Sequence, residues 1–245
     1  MIARHIRKVW TTQVLLLLAA ALGGCASTGD PPPPPPRAEA YQNATPTIQV
    51  TKPVDAAALL TTADTEAAVT ITTDNGEPTS QRMTWEKTDT GWTRTITGHS
   101  IAYLWLGPDG SVVLPREDDL HEKVRVEYDP PLLVLPARLG EGEIKRVTSK
   151  VAVTVLETGA PRASGECVST IAEIHERQIK TPAGTVNAYV VRQVRSMSLS
   201  VAKVGVVIDT SYAQVGGLVE QEYWEARKML GLFGKQSHTK ILLER

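Results

Sequence analysis

Few residues of this 245-residue chain can form covalent bonds or hold a metal: two cysteines, five histidines and one dense run of acids. Cys25 ends an apolar stretch and directly follows Leu22-Gly23-Gly24, whose two glycines are small residues of the kind that precede a peptidase cut. Cys167 has no His, Lys or Arg beside it to stabilise a thiolate, so it reads as a small apolar filler rather than a redox or nucleophilic group. His5, His99, His121, His175 and His238 stand singly, without the i, i+4 or short-loop spacing that puts two imidazoles on one metal. Glu117-Asp118-Asp119 with Glu122 lacks the alternating oxygen ligands and central glycine of a calcium loop, and reads as a solvated loop. There is no nucleophile-elbow serine motif, no Walker loop and no dinucleotide glycine pattern. Two cysteines cannot supply a zinc ribbon, an iron–sulfur set or a disulfide framework, and a net charge of −1 gives no field for nucleic acid. The expectation is a protein that is not an enzyme, without catalytic residues, metal or cofactor, and with no nucleic-acid partner.

The element that positions Cys25 is an N-terminal leader. Arg4, Arg7 and Lys8 precede the apolar stretch Val14 to Gly24, which is about half the roughly 20 residues a spanning helix needs. A basic region, a short apolar core and small residues before a cut describe a secretory signal peptide. Leu22-Gly23-Gly24-Cys25 resembles the lipobox of bacterial lipoproteins at all four positions. That resemblance implies cleavage between Gly24 and Cys25, a thioether-linked diacylglycerol on Cys25, and an acylated new amine. Two or three chains together hold a protein stably to a bilayer, where one alone does so only marginally. Ala26 stands where an Asp signals inner-membrane retention in enterobacterial lipoproteins, so the resemblance implies an outer-membrane anchor facing the periplasm. Loss of the leader takes three basic residues and leaves 23 Lys and Arg against 27 Asp and Glu, a net charge of −4. Cys167 would then be the only thiol left, so no intramolecular disulfide is expected.

Beyond the anchor, Pro31 to Pro36 form an unbroken run that holds polyproline II at about 3.1 Å per residue, a stiff rod of roughly 19 Å. Residues 37–53 have little to bury and read as a disordered tether, with an extended segment at Thr47-Ile48-Gln49-Val50. Asp55 before Ala56-Ala57-Ala58-Leu59-Leu60 suits a short capped helix. The expected organisation is a leader over 1–24, an anchored proline-rich tether over 25–64, and a β domain over 65–245.

In that domain, short runs of Val, Ile, Thr, Trp and Tyr alternate with turn residues. Asp74-Asn75-Gly76-Glu77-Pro78, Asp89-Thr90-Gly91 and Gly107-Pro108-Asp109-Gly110 each separate two such runs, which implies consecutive hairpins. Longer candidates follow at Val147 to Leu156, Cys167 to Ile179, Val186 to Leu199, Ser200 to Ile208, Leu218 to Trp224 and Thr239 to Leu243. Roughly ten to twelve strands with scarcely a helix indicate an all-β fold: an antiparallel curved sheet, half-open barrel or sandwich. Ala226-Arg227-Lys228 suits a short helix with a basic edge.

Lys180-Thr181-Pro182-Ala183-Gly184-Thr185, followed by Tyr189 and then Gly216-Gly217-Leu218-Val219, resembles a pattern of uncharacterised secreted β-rich bacterial families. The likeness implies a curved sheet or incomplete barrel and transfers no catalytic residue. Met229-Leu230-Gly231-Leu232-Phe233-Gly234 places Met229, Leu230, Leu232 and Phe233 in one glycine-interrupted loop. Such a loop either plugs an open end of the sheet or meets lipid or an apolar cargo, and plugging is favoured because isolated apolar patches are costly in water. The leading expectation is a non-enzymatic binding or assembly lipoprotein, with the membrane as partner through its lipid and an envelope protein or lipid as a second. The alternatives are a carrier or receptor for an amphiphile, lipid or lipoprotein, in a curved-sheet cavity, and third a periplasmic hydrolase.

Overall fold

The structure, a computed structural model, describes residues 36–41, 44–60, 66–74, 76–141, 144, 146–214, 216–229 and 234–244. After a 3-10 turn at Ala38–Tyr41 come β1 (Thr47–Gln49), β2 (Val54–Asp55) and the helix α1 (Ala56–Leu60). The sheet then runs through β3 (Glu66–Thr73), β4 (Thr79–Thr88), β5 (Gly91–Ile96), β6 (Ser100–Leu106), β7 (Val112–Asp119) and β8 (Val124–Leu135). A short β9 (Arg138–Leu139) precedes β10 (Val147–Val155), β11 (Pro161–Thr181), β12 (Gly184–Leu199), β13 (Ala202–Ala213), β14 (Leu218–Met229) and β15 (Gly234–Leu243).

The expected antiparallel sheet is present, and it closes. Strands pair in the order β11-β10-β8-β7-β6-β5-β4-β3-β15-β14-β13-β12, and β12 returns to β11, which makes a barrel of twelve strands. β11 can serve two neighbours on one edge because it is 21 residues long. β10 pairs with its first half and β1 lies parallel to Glu173–His175 beyond. Bulges bend the wall at Ile171/Glu173, Tyr103/Trp105, Ser211/Tyr212 and within β7–β8. The last bulge absorbs Pro130 and Pro131, which lack the N–H a regular ladder requires. β8 therefore continues through them to Leu135.

Alternation sends every second residue inward. One buried apolar cluster draws on all twelve barrel strands, from Val69, Met83 and Ile96 through Leu104, Leu114 and Leu132 to Val151, Ile174, Val191, Tyr212, Leu218 and Ile241. The outer wall instead carries the ion pairs Arg82–Glu66, Lys240–Glu222 and Arg192–Asp209. This polarity is the reverse of a membrane-spanning barrel, whose lipid-facing band is apolar. Among the described residues no helix is long and apolar enough to cross a membrane.

Part of the segment expected as a tether lies on the barrel. Ala38 is buried against Ala172, Val194 and Val207 on the outer wall, and Tyr41 packs on the same face, where its hydroxyl oxygen accepts from Arg192 Nη1 at 2.9 Å. Val207 stands beside Gly205, where a side chain would press on Ala38: a Cβ there would lie 3.1 Å from the Ala38 Cβ. The extended segment at Thr47 and the helix at Ala56 form as expected. The proline run through residue 35 lies outside the described residues.

Two local expectations are corrected. Ala226-Arg227-Lys228 is strand, not helix, because its backbone pairs on both sides, with Gly205 to Lys203 of β13 and Gln236 to Gly234 of β15. Glu117-Asp118-Asp119 is also strand, not solvated loop, and alternation turns adjacent carboxylates to opposite faces.

Candidate functional site: the barrel interior and its two ends

Inside the barrel, strands that are not neighbours in the wall are joined by polar side chains. Arg195 on β12 reaches Glu117 on β7, Nη1 to Oε1 3.0 Å, and Tyr128 on β8 donates its hydroxyl to the same Oε1 at 2.5 Å. Gln193 fixes the arginine by accepting from Nε and Nη2 at 3.1 and 2.9 Å. Its own Nε2 donates to the Leu133 carbonyl at 2.6 Å. Burial, then the Glu117 charge, push the Tyr128 phenol well above its ordinary range, so it stays a donor. A second tie links β5 to β14: Arg94 Nη1 donates to Gln221 Oε1 at 2.9 Å, and Gln221 Nε2 donates to Thr210 at 2.9 Å. Side chains that hydrogen-bond across a barrel leave no continuous lumen along those lines of contact. The interior is a cross-tied core.

One end of the barrel is covered by α1. Ala56, Leu59 and Leu60 join the central cluster, Ala56 N–H donates to the Ala137 carbonyl at 2.9 Å, and Gly217 N–H donates to the Leu59 carbonyl at 2.9 Å. Gly216 and Gly217 have φ of 96° and 94°, a conformation that favours glycine, which lets the β13–β14 turn reach the helix. Beside α1 a concavity of about 610 Å³ is lined by Ala57, Lys87 to Trp92, Trp105 and Leu106. Trp105 and Leu106 are 45% and 44% exposed, unusual for such side chains. A second hollow, about 730 Å³, lies on the outer wall beside Glu66, Ser80, Arg82 and Thr97.

At the opposite end, Met229 closes β14 against Ala202 and is 39% exposed, next to Val201 at 43%. Of the residues expected to act together there, Leu230, Leu232 and Phe233 lie outside the described residues, as do Gly24 and Cys25. The covering seen among the described residues is α1, at the other end.

Among the described residues, the remaining candidate side chains from the sequence do not gather into one site. Cys167 is fully buried on the inner wall and burial pushes its thiol up to about 11, which suits a core filler. Asp118 faces outward and takes a bidentate fork from Arg125, 2.9 and 3.1 Å, while Glu117 faces inward. His238 stacks on Trp224, ring centroids 5.2 Å apart. Among the described residues no group of three or more His, Cys, Asp or Glu converges to hold a metal. Sequence reasoning missed the interior ties because Arg195 and Glu117 lie 78 positions apart. A usable signal was charge on strand positions that share parity with apolar neighbours: Arg195 and Gln193 alternate in step with Val191 and Met197.

No protein-family model matches the chain, and no curated protein matches it. Among solved structures, the crystal structure of a provisionally named lipoprotein from Parabacteroides distasonis ATCC 8503 is similar at 13% identity, over 83% of this chain and 99% of that one, with a TM-score of 0.33. A likeness that slight carries no argument about role.

Proposed function

We propose that this chain is a lipid-anchored bacterial envelope lipoprotein whose barrel is a non-enzymatic binding or assembly module. The anchor rests on Leu22-Gly23-Gly24-Cys25 behind a basic, apolar leader, with Cys25 as the acylated mature N-terminus and the outer membrane, periplasmic side, as its place. The observation that carries the module reading is the filled interior. A carrier needs an enclosed apolar cavity, whereas here Arg195–Glu117 and Arg94–Gln221 cross the space a cargo would occupy, and α1 covers one end.

A filled barrel acts through its surface. The face best suited to a protein partner is the α1 end, where Trp105 and Leu106 are exposed over a concavity, since aromatic anchors beside a hollow dominate many interfaces. Two measurements test this reading. Radiolabelled palmitate should enter the wild-type chain in cells and fail to enter Cys25→Ser. A photo-cross-linker at position 105 should capture a discrete envelope protein, and one at the outward, exposed position 86 should not. Equal labelling of Cys25→Ser removes the anchor, and indiscriminate capture at both positions removes the docking face.

A further inference from the structure

Among the described residues the exposed large hydrophobic side chains form two pairs, one at each end of the barrel. Trp105 and Leu106 mark the α1 end. Val201, on the β12–β13 turn, and Met229, at the close of β14, mark the other. Around Val201 and Met229 stand the exposed lysines Lys203, Lys228 and Lys235. Lys203 lies directly opposite Lys228 across the β13–β14 ladder, and Lys235 opposite Arg227 across β14–β15. Like charges placed so are destabilising, yet among the described residues none of the three lysines forms an ion pair. Nearby carboxylates are engaged elsewhere: Glu225 with Arg227, Glu122 with Arg162 and Arg227, and Glu157 with Lys123. Asp74 and Glu77 belong to the β3–β4 turn, two strands and more from the lysine pair, and Glu39 lies along the wall beside Gly205. The corner at Val201 and Met229 is therefore apolar at its tip and positive around it.

The course of the chain on the outer wall says what this corner faces. Ala38 packs on Ala172 and Val207, Tyr41 meets Arg192, which forks onto Asp209, and Thr47 pairs with Glu173. Thr51 N–H then donates to Glu176 at 2.6 Å, and α1 follows over the far end. Each contact lies farther along β11 or β13 than the one before, so from Ala38 the chain climbs away from the Met229 end. Its point of entry is on the side of that end. Cys25 lies eleven residues before Pro36, a reach of at most about 40 Å. A surface held so close to a bilayer meets it at high effective concentration, where a few weak contacts suffice.

We propose that the barrel end bearing Val201 and Met229 rests on the bilayer that holds the anchor, with Lys203, Lys228 and Lys235 meeting anionic phospholipid headgroups. The inference rests on the lipid anchor proposed above. Lysines around flexible or small aliphatic side chains suit a headgroup layer, where the apolar tips enter and the ammonium groups stay among phosphates. They suit a protein interface poorly, since lysine is depleted there and aromatic anchors are enriched. The two ends thus divide the work: one faces lipid, and the α1 end with Trp105 and Leu106 faces away from it toward a protein partner.

The test uses the mature acylated chain reconstituted into vesicles of phosphatidylethanolamine and phosphatidylglycerol, with a fluorescent dye on Val201→Cys. That thiol is the one a reagent meets, since Cys25 carries lipid and Cys167 is buried. Flotation reports the anchor, and quenching of the dye by brominated acyl chains reports contact with the bilayer. The chain should float and the dye at position 201 should be quenched, whereas the same dye on Leu106→Cys should not. Lys203→Gln with Lys228→Gln, both at exposed positions, should lower the docked-to-free ratio roughly thirtyfold without loss of flotation. A chain that does not float overturns the anchor and this orientation together. A floating chain overturns the orientation alone if position 201 is quenched no more than position 106, or if the lysine substitutions change nothing.

Discussion

Arg195 and Glu117 meet across the barrel at 3.0 Å, from strands four places apart in the sheet order. Each depends on the other, because the arginine is 7% exposed and an unpaired charge at that depth is expensive. Arg195→Met should therefore destabilise the fold by about 3–5 kcal/mol. The double change Arg195→Met with Glu117→Leu should recover much of that loss. Urea unfolding of the four species in a double-mutant cycle measures the coupling, and additive losses would show that the pair is not coupled.

The same alternation that creates this pair hides it from a linear reading. The turn at Gly107 to Gly110 was legible because its chemistry is local: Gly110 takes a φ of 88°, and Asp109 Oδ1 accepts from Ser111 N–H and Oγ. The hairpins it belongs to follow from period-two runs. Closure was not legible, since it depends on β3 meeting β15, a pairing of strands at opposite ends of the sheet's chain order that no local signal encodes, whereas β11 meets β10 and β12 through ordinary hairpins. Ala226-Arg227-Lys228 shows the reverse failure, because pairing on both edges of β14 overrides a modest helical propensity. The acids at 117–119 look like a solvated cluster in one dimension. On a strand they divide between a core tie and an outer fork to Arg125.

Leu59 should be a strong stability contributor despite lying in a five-residue helix. It is 1% exposed and packs in the central cluster, while its carbonyl accepts from Gly217 N–H. Leu59→Ala should cost about 2–5 kcal/mol, the range for emptying a buried leucine site. If α1 merely rests on the surface, chemical denaturation will show a change below about 0.5 kcal/mol.

His99 makes stability depend on pH near neutrality. Burial lowers its pKa in the folded state from 6.5, with Arg94 and His121 adding to the depression and Asp119 opposing it. As pH falls below 6.5, the unfolded chain takes up a proton that the folded chain resists. Stability should thus be full above 6.5, decline with falling pH, and level off below the depressed folded value. His99→Gln should flatten that part of the profile in urea unfolding at successive pH values. An unchanged slope in the variant would assign the pH dependence elsewhere.

Cys167 should be inert in the folded chain. It is fully buried and burial raises its thiol to about 11, so little thiolate exists at pH 8 and reagents cannot reach it. In the Cys25→Ser chain, where it is the only thiol, an aromatic disulfide reagent should give no colour until denaturant is added. Rapid reaction under native conditions would mean that the inner wall opens to solvent.

Native mass spectrometry of the protein released from its own membranes tests the central claim most directly. The account predicts a chain beginning at Cys25, carrying covalent diacylglycerol and amine-linked acyl groups, with no separate lipid retained in the barrel. A non-covalent amphiphile that survives transfer to the gas phase, or an unmodified N-terminus at another residue, would contradict it.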